Sequence, residues 1–270
     1  MSEFPADAHS VTDSDTPPVI VLVGSADRER ASPPHGHRRG QLFGSTSGLL
    51  TVGLDTGVWV VPTTHAVWVP PYRLHWARSH GAFSGYAVYV AHDNCANLPA
   101  QPCSIRVSGL LREAVLRAGA WPPGGLDAQG ERIAAVILDE IRTLPVDALG
   151  LPLPRDPRLL RIARAILDQP ADERSLEAWA AWAAIGARSL SRRFVLETGF
   201  TFTLWRQRAR LLRALEMLAD DVPVTAIALQ LGYSTPSTFI GLFKRTFGAT
   251  PASYRARLQG AGRVPARPAA

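Results

Sequence analysis

Val224-Thr-Ala-Ile-Ala-Leu-Gln-Leu-Gly-Tyr-Ser-Thr-Pro-Ser-Thr-Phe239 decides how the C-terminal part of this chain folds. Val224 to Leu231 carries apolar residues at helical spacing, Gly232 to Thr235 forms a turn, and Pro236 opens a second helix that runs to Phe247. Proline at a first helical position costs nothing, because that N–H has no intrahelical partner anyway. Phe239, Leu242, Phe243 and Phe247 fall on the inner face of this helix. Ser237, Thr238, Gly241, Lys244 and Arg245 fall on the outer one.

The same arrangement stands about 48 residues earlier. Ser175 is a good N-cap for a helix that buries Leu176, Trp179, Ala180 and Ala183. Ile185-Gly186 breaks it. Ala187 to Glu197 forms the next helix, with Leu190, Phe194 and Val195 expected inside and Arg188, Ser189, Ser191 and Arg192 outside, and Gly199 suits a left-handed cap. Each pair has the form of a helix-turn-helix, whose second helix enters the major groove of DNA. Leu204 to Leu218 reads as one helix between them, about 22 Å long at ~1.5 Å per residue. With the width of the flanking pairs added, the two outer helices are expected about 34 Å apart, one turn of DNA. A single pair fits a plain packed helical domain equally well; two in tandem favour DNA.

Charge agrees with that placement. Residues 155–270 hold 18 Lys and Arg against 9 Asp and Glu, a balance of +9, whereas residues 1–154 hold 11 against 14, or −3. A polyanionic partner is therefore expected for the C-terminal part alone. The 46% hydrophobic content fits a folded protein. No apolar run approaches the ~18 residues of a membrane-spanning helix, so no membrane partner is expected. The two cysteines, Cys95 and Cys103, do not suggest a disulfide framework, and the expected location is cytoplasmic.

The N-terminal part reads differently. Val19–Val23, Leu49–Val52, Val58–Val61, Ala66–Val69 and Tyr86–Val90 are short β-branched or aromatic runs between Gly and Pro turns, as in an all-β barrel or sandwich. Helical period follows, with Leu110, Leu111, Ala114, Val115 and Ala118 on one stripe and Ile133, Val136, Ile137, Ile141 and Leu144 on another. Ile133, Val136, Ile137 and Ile141 suit either a dimer seam or the core of one subunit. The expected organisation is a flexible tail at 1–17, a β sensing domain at 18–104 and a helical linker or dimerisation segment at 105–148. A proline-rich linker at 149–155, a helical domain at 156–258 and a tail at 259–270 complete it.

His35-Gly-His37, Gln41 and His75 form the other notable group. On a strand, residues i and i+2 share a face, so His35 and His37 point one way. Two or three imidazoles around one cavity suit Zn, Fe, Ni or Cu; hydrogen bonding within the pocket, or contact with an organic effector, is the other reading. His9, His65, His80 and His92 read as ordinary surface or loop residues. Trp59, Trp68 and Trp76 read as core and rim.

Four segments resemble the AraC/XylS family of bacterial transcription regulators: Arg188–Gly199, Trp205–Leu215, Ala226–Phe239 and Phe243–Tyr254. The resemblance spans 156–258 and implies seven helices with two helix-turn-helix units on adjacent major grooves. It implies double-stranded DNA as partner, contacted by Arg188, Ser189, Ser191 and Arg192 of the first unit and Pro236, Ser237, Thr238 and Gly241 of the second, with Lys244 on phosphate. Gly241 departs from the pattern, since many relatives have Arg there. More base discrimination is therefore expected from the first unit and more backbone positioning from the second. Gly186 stands where relatives often place a capping Ser. His35–Leu42, Gly57–Pro62 and Val67–Pro70 are similar to the cupin sensing domain found in a subset of the family. Metal-binding cupins generally place Glu near the position of Gln41.

The chain is thus expected to be a ligand- or metal-controlled, homodimeric DNA-binding regulator, touching RNA polymerase if it activates. The rival reading, a cupin metal-dependent enzyme with a DNA-binding appendage, wants two histidines and a carboxylate on one metal. No acidic residue stands at that spacing. Nor is there a P-loop, an H-E-x-x-H or a G-x-S-x-G motif. A DNA-architectural protein without a sensor role would leave the β domain without purpose.

Overall fold

A computed structural model describes residues 16–121, 126–147 and 150–260. Of the expected tails 1–17 and 259–270, residues 1–15 and 261–270, and His9 with them, lie outside these residues, while 259–260 belong to the last helix, Pro251–Gly260. The chain divides into two compact units, one of residues up to 150 except 55–58 together with residues from 258 on, the other of residues 55–58 and 151–257.

The first unit is rich in sheet. The strands of the chain are β1 (Val19–Ala26), β2 (Gly40–Leu54), β3 (Gly57–Val61), β4 (His65–Val69), β5 (His75–Val90), β6 (Cys103–Arg106), β7 (Val146–Asp147) and β8 (Gly150–Pro152). The main path is β1-β5-β2-β4-β6-β7, with antiparallel neighbours throughout. The path ends on β1 and β7, and among the described residues no pairing joins them. The expected barrel is not closed. At two residues, β7 offers too few backbone groups to carry the ladder on.

All five expected strands are present, but β2 and β5 are far longer than their apolar runs. Gly44, Ser45, Ser47 and Gly48 read as turn residues, yet they lie inside β2, where the register with β5 shifts between Ser45 and Ser47 and again between Ser47 and Leu49. Such bulges bend a strand without ending it, and glycine and serine are the residues that allow the bend. Because β5 starts at His75, His80 lies within a strand and not in a surface loop. It is buried, with Nε2 2.9 Å from the Thr51 hydroxyl.

Both faces of the sheet are apolar, and alternation sorts the side chains between them. Leu42, Ala66, Trp68 and Val88 join one cluster; Phe43, Val67 and Val69 join the other. The first face is covered by α1 (Gly109–Ala118) and α2 (Ala128–Thr143), which are capped by Ser108 and Asp127. Leu111, Ala114, Val115 and Ala118 of α1 are buried as expected, but Leu110 is 59% exposed, one position off the stripe. Ile137 and Ile141 are fully buried against this same sheet face, and Ile133 and Val136 pack on its edge. The chain's own core uses this stripe, which removes Ile137 and Ile141 from a dimer seam. Close packing reaches the backbone at Gly40, where an added Cβ would stand 2.2 Å from the indole of fully buried Trp68.

The second unit is helical. Seven helices follow in order: α3 (Pro157–Asp168), α4 (Leu176–Trp182), α5 (Ala187–Thr198), α6 (Phe202–Ala219), α7 (Val224–Gln230), α8 (Pro236–Phe247) and α9 (Pro251–Gly260). Asp156 caps α3 by accepting from the N–H groups of Arg158 and Leu159. Burial pushes its carboxyl up, but these bonds and the Arg193 guanidinium outweigh it and hold the group below the usual carboxylate range. The core is aromatic: Phe194 lies edge-on to Phe202 and Trp205, and Phe243 touches Phe239, Phe247 and Tyr254.

Helices α4 and α7 end alike. Ile185 N–H donates to Ala180 C=O and Ala184 N–H to Ala181 C=O; 48 residues on, Tyr233 N–H donates to Ala228 C=O and Gly232 N–H to Leu229 C=O. This is the Schellman pattern, which requires a left-handed residue just past the helix. Gly232 meets that need at φ 76°, whereas Ala184 is held at φ 51° against its Cβ. The following helices also stop alike, on left-handed Gly199 and Gly248.

Two substitutions test this account. Ala184→Gly is expected to raise stability by about 0.5–1 kcal/mol, the relief of the left-handed strain less the entropy glycine adds to the unfolded chain. Gly40→Ala is expected to lower it by about 1–3 kcal/mol, because Trp68 has nowhere to move. Urea denaturation of both variants beside the parent protein measures each. A stability unchanged by Ala184→Gly would mean the turn relaxes in solution.

Candidate nucleic-acid interface and imidazole site

The outer faces of α5 and α8 are set by what their inner faces bury. Leu190 and Phe194 anchor α5; Phe239 and Phe243 anchor α8. Arg188, Ser189 and Arg192 are exposed on α5 and Ser191 is half-buried. Val195, expected inside, is 41% exposed, because Thr198 and Phe194 already close that end of the core. On α8, Ser237, Thr238 and Lys244 are exposed, while Pro236 and Gly241 are half-buried. Thr235 caps α8 through its hydroxyl, which accepts from Thr238 N–H at 3.2 Å. Gly186 begins α5 with no side-chain cap.

Most arginines of this unit are tied to the protein itself. Arg193 pairs with Asp156 at 2.7 Å, Arg174 with Asp172 at 2.7 Å and Arg213 with Glu216 at 2.8 Å. Arg206, Arg210 and Arg255 donate to backbone carbonyls of Asp172 and Arg174, of Pro170, and of Val222. Arg161 lies over the Trp182 ring. By contrast, Arg188, Arg192, Lys244 and Arg245 pair with no carboxylate among the described residues. These four cations sit on the two helices whose outer faces were expected to meet DNA.

Arg245 adds something the sequence reading left out of its contact set. Its Nη1 stands 3.6 Å from where a Cβ on Gly241 would lie. The guanidinium therefore folds over the bare backbone at Gly241, one turn back along α8. The i, i+4 spacing carried that signal, since residues four apart share a helix face.

In the first unit, His35, His37, Gln41 and His75 come together. The residues around His35 run beside the start of β5, with His35 and His75 exchanging N–H···O=C bonds of 2.8 and 2.9 Å. Gln41 stands on β2 between Val69 of β4 and Tyr89 of β5. One ligand nitrogen from each histidine lies within 4.8 Å of the others, and no Asp, Glu or Cys among the described residues joins the group. The ring of His75 is 4.4 Å from that of His35 and 5.1 Å from that of His37.

The hydrogen bonds fix the direction of each ring. Nδ1 of His35, His37 and His75 lies 2.9, 2.8 and 2.8 Å from the carbonyl oxygens of Pro33, Arg39 and Arg73. A carbonyl only accepts, so in each ring Nδ1 carries the proton, and a neutral ring then presents a lone pair at Nε2. Burial holds His75 neutral by pushing its pKa down to about 4. The side-chain amide of Gln41 lies 2.9 Å from His37 Nε2 and 3.0 Å from His75 Nε2. The two ends of an amide are told apart by their partners. Two lone pairs need two donors, so the NH2 end faces the imidazoles and the oxygen is left for the Tyr89 hydroxyl, which also bonds Gln41. Burial raises the Tyr89 pKa to about 12, so it remains a neutral donor. Tyr89 is a partner the sequence did not suggest; it comes from 48 residues beyond Gln41 along the chain, and the ladder makes it a neighbour. Tyr72, next to the site, is held at φ 62° and donates its N–H to His37 C=O at 2.8 Å.

Comparison with known proteins fits the helical unit first. Residues 179–257 match the family model described as "Helix-turn-helix domain". The chain is 31% identical over 241 residues to the HTH-type transcriptional regulator NimR of Escherichia coli, covering 89% of this chain and 88% of the relative. It is 33% identical over 130 residues to the HTH-type transcriptional regulator RipA of Corynebacterium glutamicum, covering 48% of this chain and 37% of the relative. Among solved structures, the C-terminal domain of AraT, a response regulator from Geobacillus stearothermophilus, is 25% identical with a TM-score of 0.38, over 42% of this chain and 95% of that one. The match to NimR runs through both units at nearly full length, and on it the chain belongs to the AraC/XylS family of transcription regulators.

Proposed function

We propose that this regulator binds double-stranded DNA through two helix-turn-helix units, α4–α5 and α7–α8, whose second helices enter adjacent major grooves. Arg188, Ser189, Ser191 and Arg192 face the bases and phosphates of one box. Pro236, Ser237, Thr238, Gly241 and Lys244 face those of the other. The single observation that carries this reading is the set of four uncommitted cations, Arg188, Arg192, Lys244 and Arg245, on those two helices. The repeated turn geometry supports it, as does α6, whose 18 residues make a stiff spacer of about 27 Å.

The sheet-rich unit, residues 18–104, is the sensing part, with His35, His37, Gln41 and His75 at the effector site and residues 105–148 beside it. Ligand binding there shifts the balance between states of different DNA affinity. The protein acts as a homodimer, and as an activator it touches RNA polymerase. Its relatives are transcription regulators, which supports a regulatory and not a catalytic role.

Selection from a random DNA pool with full-length protein is expected to enrich two short boxes about one helical turn apart. On the selected site, Arg192→Ala is expected to cost about 1–3 kcal/mol and to relax base choice at one position. Lys244→Ala is expected to weaken all sequences alike and to reduce the slope of log K against log salt by about 1. Fluorescence anisotropy across a salt series measures both. Equal effects of the two variants on every sequence would remove the division of labour.

A further inference from the structure

We propose that the loop between α3 and α4, residues 169–175, is clamped by Arg206 and Arg210 of α6, and that this clamp fixes how far apart the two DNA boxes must lie. Both arginines are then positioning residues. This rests on the two-box reading above and adds the part of the chain that sets the distance.

The need for a clamp comes from the connections of α6. Residues 199–201 join it to α5 and residues 220–223 join it to α7. Each connection holds a left-handed residue, Gly199 at φ 76° and Asp221 at φ 58°. A few residues at the end of an element are where packed units pivot. A helix of fixed length therefore sets the distance between the units more firmly than their rotation about it.

The loop supplies the missing constraint, because it touches α6 and both helix-turn-helix units. Arg206 Nη1 donates to the Arg174 carbonyl at 2.9 Å and Nη2 to that of Asp172, while Arg210 Nε donates to the Pro170 carbonyl at 2.7 Å. Bonds from a guanidinium are charge-assisted, and the fork of Arg206 fixes two carbonyls at once. On the side of the first unit, the Arg174 guanidinium bonds Asp172 at 2.7 Å and lies 3.6 Å from the ring centre of Trp179, which is fully buried in α4. On the side of the second unit, the loop meets the turn after α7. A Cβ on Gly232 would stand 3.2 Å from the Ala171 carbonyl oxygen and 3.4 Å from Arg210 Nη2. Glycine at 232, already required by its left-handed φ, also lets the loop come this close. Arg210 lies 5.8 Å from the neighbouring Tyr233 ring. Loop, α6 and the two units thus close a triangle, and its angles hold as long as the clamp does.

DNA reads such a constraint as a spacing rule, since each added base pair moves a box by about 3.4 Å and turns it by about 35°. Full-length protein is titrated by fluorescence anisotropy with the selected pair of boxes, with one base pair inserted or removed between them, and with one box scrambled. The parent protein is expected to lose at least about ten-fold in affinity at each altered spacing, because rigid units engage together or not at all. The double variant Arg206→Ala, Arg210→Ala is expected to bind the original spacing about three- to ten-fold more weakly, through a lower effective concentration of the second unit. Altered spacing is expected to cost it less than about a further three-fold. Its affinity for the single-box duplex is expected to stay within about two-fold of the parent's, which separates lost positioning from damaged recognition helices. Arg206→Lys, which keeps the charge but not the fork, is expected to fall between, and it decides the matter if the double variant does not fold. An unchanged spacing profile in a folded variant would overturn the clamp, as would an equal loss on the single box and on the pair. A parent protein that needs both boxes yet tolerates altered spacing would also overturn it. A parent protein that binds one box as tightly as two would instead overturn the two-box reading itself.

Discussion

Strands β2 and β5 run antiparallel for their whole length, with Gly40 opposite Val90 at one end and Leu54 opposite His75 at the other. That pairing fixes nearly everything else in the N-terminal unit. It puts Gln41 level with Tyr89, and through β4 level with Val69, so that one amide meets a phenol and two imidazoles. It also sorts alternate residues to two buried faces, one sealed by α1 and α2 and the other left to the histidines and their apolar neighbours. A slip of one residue in this register would send Gln41 to the helix-covered face and Leu42 to the imidazoles. The bulges between Ser45 and Leu49 let a single strand serve the sheet on both sides of its bend.

In the helical unit the governing constraint is electrostatic. A segment with a balance of +9 must place many guanidinium groups without leaving them to repel one another. It does so by using arginine as a structural donor: Arg206, Arg210 and Arg255 tie helix surfaces to loop carbonyls, and Arg193, Arg174 and Arg213 take the nearby carboxylates. Of the charge left over, Arg188, Arg192, Lys244 and Arg245 stand on α5 and α8. Net charge therefore overstates the footprint, and the committed and uncommitted cations have to be separated before a DNA-facing surface can be assigned.

The histidine group shows the reverse economy. Its character lies in the direction of its hydrogen bonds. Each Nδ1–H is held by a carbonyl two residues away, and the lone pairs of His37 and His75 turn toward Gln41. The amide answers with its two N–H groups, and its oxygen is left for Tyr89. Both nitrogens of His37 and of His75 thus have partners of the right kind, which is what burial demands.

The sequence by itself determined the local chemistry of this protein. Helix caps at Ser175, the stops at Gly199 and Gly248, the start at Pro236 and the inward positions of Phe194, Phe239 and Phe243 follow from spacing and residue type, because a helix end and a helix face are decided within four residues. His35 and His37 were expected on a strand, but they lie between β1 and β2, with only an isolated bridge from His35 to His75 among the described residues. What only the tertiary structure decided are the facts that depend on distant partners. Gly and Ser inside β2 read as turns until β5 lay alongside to carry the ladder through the bulges. His80 read as a surface residue until the same ladder enclosed it. The stripe of Ile137 and Ile141 did not say whether it would meet a second subunit or the chain's own sheet. Tyr89 reached Gln41 through strand register that composition does not carry. Local periodicity fixes which face a residue occupies; only the packed chain fixes what stands opposite that face.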